Sequence, residues 1–187
     1  MRIVGGAWRG RGLLAPKGDA TRPTADRVRQ ALFDMLLHAP WGGYGCVVGA
    51  TVLDAFAGTG ALGLEALSRG AKSAYFIERD RAALAALRAN IATLGATATV
   101  HVGDARHPPA GTACGLVFLD PPYRQGLIEL SLAALGTAGW LAPDALIVAE
   151  SGRDETLAAW GEILAERTHG AARITVMRAS KPAALDA

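Results

Sequence analysis

The sequence predicts an α/β fold. It is a mostly parallel sheet with helices on both faces, closed by an antiparallel hairpin and preceded by a small N-terminal β-hairpin and helix extension. Three observations predict it. From Thr51 onward, apolar runs alternate with helical periodicity, and strands that alternate with helices imply parallel pairing. The first strand runs into a glycine-rich turn, Gly58-Thr-Gly60-Ala-Leu-Gly63. A later strand, Val117-Phe-Leu119, stops at Asp120, because Pro121 and Pro122 have no N–H to donate to a ladder.

The 187 residues suit one domain with a full core, and a half-apolar, Ala- and Gly-rich composition is that of a globular chain. No apolar run reaches the ~20 residues of a membrane span. The start, Met1-Arg-Ile-Val-Gly-Gly, lacks an apolar signal core, so a cytoplasmic location is expected. Cys46 and Cys114 have no metal-like spacing and read as free thiols. The four histidines (38, 101, 107 and 169) read as structural or surface residues, and no metal is expected. A monomer is expected.

Charge is unevenly distributed. Residues 1–30 hold seven basic and two acidic side chains, whereas the remainder is net acidic. A basic arm on a mildly acidic body is a footprint for a polyanion, the plainer alternative being a solvated charged face. Residues 2–14 read as two short strands around a glycine turn, with Trp8 either stacking on a base or simply packing. Arg22-Pro-Thr24 opens a helix with Thr24 as N-cap. Val28, Ala31, Leu32, Met35 and Leu36 form its apolar face, with Arg27, Arg29, Gln30 and Asp34 elsewhere. The helix ends near Pro40, and a loop follows. Residues 1–45 thus form a basic extension and 46–180 the main domain, with 181–187 a fraying tail.

In the main domain, strands are expected over 51–55, 74–77, 97–102, 116–119 and 145–150. Helices are expected over 61–69, 81–94 and 127–135. A short helix over 155–160 then leads to a hairpin of 163–168 and 172–178.

The glycine turn satisfies G-x-G-x-x-G, and Glu78 stands at the end of the next strand, placed to accept from ribose hydroxyls. A dinucleotide would put its pyrophosphate on the helix N-terminus. Asp54, just before the turn, disfavours a phosphate and favours a cation. S-adenosylmethionine carries an ammonium and a sulfonium and no phosphate. Asp104 ends the third strand, within reach of an adenine amine. Three acids at one rim suit a cationic cofactor. Beyond them, the Asp120-Pro-Pro-Tyr123 loop offers rigid acceptors and a flat ring to a planar amine; by itself it reads equally well as a stiff turn.

These residues carry a family likeness. Asp54-Ala-Phe-Ala-Gly-Thr-Gly60, Glu78, Asp104 and Asp120-Pro-Pro-Tyr123 resemble the Rossmann-like, S-adenosylmethionine-dependent amino methyltransferases. The N-terminal Arg2-Ile-Val-Gly-Gly-Ala-Trp-Arg-Gly-Arg11 and Arg22-Pro-Thr-Ala-Asp-Arg-Val-Arg-Gln-Ala-Leu-Phe33 look like the bacterial RsmD family. So does Phe56-Ala-Gly-Thr-Gly-Ala-Leu-Gly-Leu-Glu-Ala-Leu-Ser-Arg-Gly70. The likeness runs over residues 2–178, with Thr59 where Ser is commoner and His107-Pro-Pro109 as departures.

The resemblance implies methylation of the N2 of one guanine of 16S ribosomal RNA, in the small subunit or an assembly intermediate. S-adenosyl-L-methionine would be the cofactor and S-adenosyl-L-homocysteine the product. It implies that Asp54 faces the methionine end, Glu78 with Arg79 the ribose, and Asp104 with Ala105 the adenine. Phe56, Ala57, Gly58 and Gly60 would form the turn beneath. Asp120, Pro121, Pro122 and Tyr123 would hold the amine and the base, and Asp120 would border the cofactor as well. Arg2, Trp8, Arg9, Arg11, Arg22, Thr24 and Arg27 would meet RNA. A DNA adenine-N6 methyltransferase and a non-catalytic RNA-binding assembly factor stand as alternatives, the first lacking a separate target-recognition domain. An NAD-dependent dehydrogenase is disfavoured by Asp54.

Overall fold

A computed structural model of the chain describes residues 1–16, 23–155, 157 and 160–179, with 23–25 as backbone only. One seven-stranded sheet has the order β3-β2-β1-β4-β5-β7-β6. Strands β1 (Thr51–Asp54), β2 (Ser73–Glu78), β3 (Ala98–Val102), β4 (Cys114–Leu119) and β5 (Leu141–Gly152) run parallel. β6 (Gly161–His169) and β7 (Ala172–Ala179) close it antiparallel. The order reverses between β1 and β4. That switch point is where open α/β sheets bind ligands, beyond the carboxyl ends of the strands.

Side chains on the strands alternate between two cores, as a pleated strand buried on both faces requires. Val52, Phe76, Leu116, Phe118 and Val148 face α1 (Pro23–His38), α2 (Ala61–Ser68) and α3 (Arg81–Leu94). Leu53, Ile77, Val117, Leu119 and Ile147 face α4 (Leu127–Thr137) on the other side. The β3–β4 connection contains no helix. Trp140 covers that part of the sheet instead, its ring 5.4 Å from Tyr75 and 5.3 Å from His101. Its Nε1 donates to the Pro109 carbonyl at 2.9 Å, so the end of the His107-Pro109 segment fixes the indole.

Expectation and structure differ in four places. The N-terminal residues pair through an isolated bridge, Arg2 with Gly12, around a 3₁₀ turn at Gly6–Trp8, not as two strands. The reason is Gly6 (φ +72°), which lies so close to α2 that a Cβ there would be 1.8 Å from the Ser68 carbonyl. The two limbs still pair, through Ile3 N to the Arg11 carbonyl at 2.9 Å, Gly10 N to the Ile3 carbonyl at 2.8 Å and Leu13 N to the Met1 carbonyl at 3.0 Å, while docking against α2 bends the turn between them.

Helix α1 begins at Pro23, whose missing N–H would go unpaired in a first turn anyway, so Thr24 is inside the helix rather than its cap. Its core stripe is Arg29, Leu32, Phe33 and Leu36, with Ala31 exposed. Finally, Glu155, Leu157 and Trp160 belong to no helix, and the remainder of that expected helix lies outside the described residues. The Glu155 carboxylate accepts from Arg124 N at 2.6 Å, holding the loop after Tyr123. The expected tail over 181–187 also lies outside them.

Candidate active site

The site is built at the ends of β1 and β4. Asp54 closes β1, almost fully buried, and its Oδ2 accepts from Gly63 N, in the first turn of α2, at 3.0 Å. The turn between them places Gly60 at φ +83°, where a Cβ would lie 2.4 Å from Leu87 Cδ1, so the loop closes tightly over α3. Glu78 ends β2 and fastens the same turn: Oε2 accepts from Gly58 N at 2.7 Å, and Oε1 from the amides of Arg79 and Asp80 at 2.7 Å each. A carboxylate has about four acceptor positions, so three amides leave room for a ribose hydroxyl.

Two cavities meet over this turn and share Phe56, Gly58 and Asp120. One, of about 600 Å³, is bounded by Glu78, Arg79, Asp104 and Ala105. The other, of about 510 Å³, reaches from Asp54, Ala57 and Thr59 to Glu150 and the N-terminal segment. Together they form a cleft of the size that small-molecule sites occupy. The acids Asp54, Glu78, Asp104, Asp120 and Glu150 line it. The donor set therefore fits a cationic cofactor.

Electrostatics separate these acids. The Arg106 guanidinium beside Asp104, at 2.6 Å, holds its carboxyl well below the usual range, with Arg79 at 2.9 Å adding to this. Asp104 thus meets the cleft already paired with two arginines. Asp54 is pushed up to about 7 by burial, with Glu78 adding to it against the Gly63 hydrogen bond. Asp120 is pushed up to about 8. The residue is exposed, at the junction of the two cavities that it lines. Desolvation of the carboxyl is the largest cause, followed by the charges of Glu150 and Asp54. Among the described residues, neither Asp54 nor Asp120 has an ion-pair partner.

Pro121 is buried, Pro122 exposed, and Tyr123 half-exposed. The Tyr123 hydroxyl donates to Glu150 Oε1, and burial with this bond raises the phenol's pKa. Glu150 went unseen in the sequence. Its signal is the parallel register Leu119–Ala149, which sets Asp120 and Glu150 side by side at adjacent strand ends. His169, expected as a structural or surface residue, stands on the rim of the second cavity at the hairpin tip.

The expected RNA contacts divide. Arg2, Arg9, Arg11 and Arg27 are exposed. Arg2 pairs loosely with Asp26 at 3.6 Å, and Arg11 Nη2 donates to the Thr93 carbonyl at 3.0 Å. Trp8 packs partly against the core, its amide bonded to Ser68 Oγ at 2.9 Å, so its ring is only partly available. Arg22 lies outside the described residues, and only the backbone of Thr24 is described.

A family model described as Conserved hypothetical protein 95 matches residues 1–178. Ribosomal RNA small subunit methyltransferase D of Escherichia coli K12 is 50% identical over 154 residues, 81% of this chain and 74% of that protein. This chain belongs to that family. The Haemophilus influenzae member is 36% identical over 180 residues, 91% of this chain and 89% of its own. A solved structure, a putative methyltransferase yhhF from Escherichia coli, superposes with a TM-score of 0.83 at 42% identity, covering 96% of this chain and 98% of the other. The fold is thus shared over nearly the whole chain. Among the described residues no cluster of metal-ligating side chains occurs, and no helix is long and apolar enough to cross a membrane.

Proposed function

We propose that this chain transfers a methyl group from S-adenosylmethionine to the exocyclic N2 amine of a guanine in small-subunit ribosomal RNA. The rRNA methyltransferase class follows from the family. The observation that carries the site reading is the pair Asp54 and Asp120, raised carboxyls without a counter-ion facing one cleft. A cation that enters there gains both. Asp54 would meet the amino acid end, Glu78 the ribose, and the wall of Asp104 and Ala105 the adenine.

When bound, S-adenosylmethionine supplies an electrophilic methyl on sulfur. The protein's part is to present the amine. A guanine N2 is a weak nucleophile, because its lone pair is delocalised into the ring. The Asp120 carboxylate and the Pro121 carbonyl each accept one amine hydrogen, which turns the nitrogen toward tetrahedral geometry and aims the lone pair at the methyl. Orientation of this kind is worth up to ~7–11 kcal/mol, and fixed acceptors stabilise the positive charge that builds on nitrogen. Asp120, with an ordinary-carboxylate pKa displaced toward neutrality, is suited to take the proton afterwards. Tyr123 stacks on the base, with Glu150 holding its hydroxyl and so its ring plane. The exposed arm arginines hold phosphates. A monomer working in the cytoplasm on rRNA, in a particle or free, completes the reading.

The test incubates the protein and its Asp120→Ala variant with methyl-labelled S-adenosylmethionine and, separately, 30S subunits, free 16S RNA and DNA, then maps the modified base. The variant is expected to lose ~10²–10⁴-fold in turnover with cofactor affinity within about 3-fold, a margin under 1 kcal/mol. Normal turnover by Asp120→Ala, or label on an adenine, overturns the mechanism.

A further inference from the structure

Asn90 is a polar residue in the apolar stripe of α3, almost fully buried between Leu87 and Leu94. Its amide is fully used. Oδ1 accepts from Leu14 N at 2.7 Å, and Nδ2 donates to the Leu14 carbonyl at 3.1 Å and to the Thr59 carbonyl at 3.0 Å. Leu14 belongs to the N-terminal basic segment. Thr59 lies between the two glycines of the cofactor turn. One side chain is therefore bonded at once to the arm and to the floor of the cleft. A second contact runs parallel to it: Thr59 Oγ1 donates to Met1 Sδ at 3.7 Å, and Met1 and Pro16 form part of the cavity wall. Among the described residues the arm is otherwise fixed to α2, by Glu65 to Val4 N and by Ser68 to Trp8 N and the Gly5 carbonyl, to α3 by Arg11 to the Thr93 carbonyl, and to Arg29 by the Arg2 carbonyl, and none of these bonds reaches the cofactor turn.

We propose that Asn90 is a positioning residue that couples the RNA-binding arm to the cofactor turn, so that RNA and cofactor each tighten the binding of the other. A carbonyl held at Thr59 fixes the plane of the peptide before Gly60, and with it the shape of the turn. An arm drawn against RNA phosphates moves Leu14, and Leu14 moves the amide that holds Thr59. Coupling of this sort is reciprocal by thermodynamic necessity. The inference rests on the reading of the arm as the RNA-binding element.

The experiment measures S-adenosylhomocysteine affinity by calorimetry with and without the RNA substrate, together with KM for RNA and for S-adenosylmethionine. Wild type should bind S-adenosylhomocysteine about 5-fold or more tighter in the presence of RNA, the lower end of typical coupling. Asn90→Asp keeps the acceptor for Leu14 N and removes both donations when ionised and at least one of them when protonated. It should weaken S-adenosylhomocysteine by about 10-fold and bring the RNA-dependent ratio to about one, the size expected when one hydrogen bond to a binding loop is lost. Ser68→Ala loosens the arm only where it meets α2. It should raise KM for RNA and leave that for S-adenosylmethionine unchanged. Asn90→Ser, uncharged and short, repeats the Asn90→Asp measurement should the carboxylate disturb folding.

A folded Asn90 variant with lowered Tm but wild-type ratio and wild-type cofactor affinity makes the residue purely structural and overturns the proposal. Should Asn90→Asp weaken the cofactor while Ser68→Ala and an Arg9→Ala, Arg11→Ala double variant leave RNA binding untouched, it is the RNA-arm reading that fails, and the coupling with it.

Discussion

Two acid-bearing regions of this molecule treat buried charge in opposite ways. At the seam between α1 and α2, Glu65 is completely buried and completely matched. It accepts from Val4 N at 2.8 Å and from Arg69 Nε at 2.7 Å, and it faces the Arg29 guanidinium at 3.5 Å, whose Nη2 donates to Asp26 at 2.9 Å while its Nε makes the ion pair without a hydrogen bond. At the β1/β4 rim, Asp54 is buried as deeply but has one backbone amide and no cation, and its pKa rises to about 7. Burial alone thus does not decide a carboxylate's state; the partner does. A matched seam holds the basic extension on the domain. An unmatched rim is a place that a cationic ligand completes, and perturbed carboxyls in a cleft are a mark of functional sites.

The largest effect should come from unmatching the seam. Glu65→Ala leaves Arg29 and Arg69 buried without their shared acid, and should destabilise the protein by ~3–5 kcal/mol. Urea unfolding reads this directly as a lower midpoint. A Glu65→Ala variant within about 1 kcal/mol of wild type, the worth of an exposed pair, would erase the contrast between the two regions.

The rim should answer with the opposite sign. Asp54→Asn keeps an acceptor for Gly63 N and removes a charge that burial penalises. Stability without ligand should be equal or higher near pH 8, while S-adenosylmethionine affinity falls ~10–100-fold, the worth of one or two charge-assisted hydrogen bonds. Calorimetry and urea unfolding on the same samples separate the two. Loss of stability with cofactor affinity intact would make Asp54 a helix cap and nothing more.

Much of this was legible in the sequence, and the exceptions have a common cause. Helix α3 was readable to the residue over Arg81–Leu94, because its apolar spacing is regular and its ends carry Asp80, whose carboxylate caps Ala83 N at 2.8 Å, and Gly95 in the left-handed region. The strand ends that present Asp54, Glu78 and Asp120 followed from local patterns as well. Arg29, Glu65, Asn90 and Glu150 did not. Each is defined by a partner distant in sequence, such as Glu65 to Val4 over 61 positions or Asn90 to Leu14 over 76. A helical wheel assigns Arg29 to the solvent face, because periodicity scores residue type and cannot see Glu65 waiting in α2. The Glu155–Trp160 segment misled for the same reason: Glu155 is committed to Arg124 N instead of a helix.

Acidity should sharpen the comparison with a smaller, continuous effect. Asp54 and Asp120 have folded pKa values above their ordinary 3.8, so between about pH 4 and pH 8 the folded state binds more protons than the unfolded one. Stability must then fall as pH rises through that window. Asp104 is shifted the other way by Arg106, so its contribution is present above the ordinary value and lost only as pH falls below it. The Tm of the ligand-free protein should decline from pH 5.5 to pH 8, and saturating S-adenosylmethionine should flatten the slope, because it favours the ionised rim. A ligand-free Tm that rises over this range would mean that the rim acids are matched after all.

The smallest effects belong to the arm, where the same comparison can be made within one stretch of sequence. Arg29 is buried and tied to Asp26 and Glu65, whereas the side chain of Arg9 is exposed and makes no bond among the described residues. Arg2 and Arg11 are intermediate, exposed but partly engaged by Asp26 and by the Thr93 carbonyl. Each arginine that contacts a phosphate contributes about one unit to the slope of log affinity for RNA against log salt. Arg9→Ala should therefore reduce the slope by about one unit and leave Tm unchanged, with Arg2→Ala and Arg11→Ala giving smaller fractions. Arg29→Ala should do the reverse, lowering Tm while the folded fraction keeps its salt slope. If Arg29→Ala changes the slope as much as Arg9→Ala does, the seam is itself part of the RNA surface, and the division between matched and unmatched charge does not follow burial.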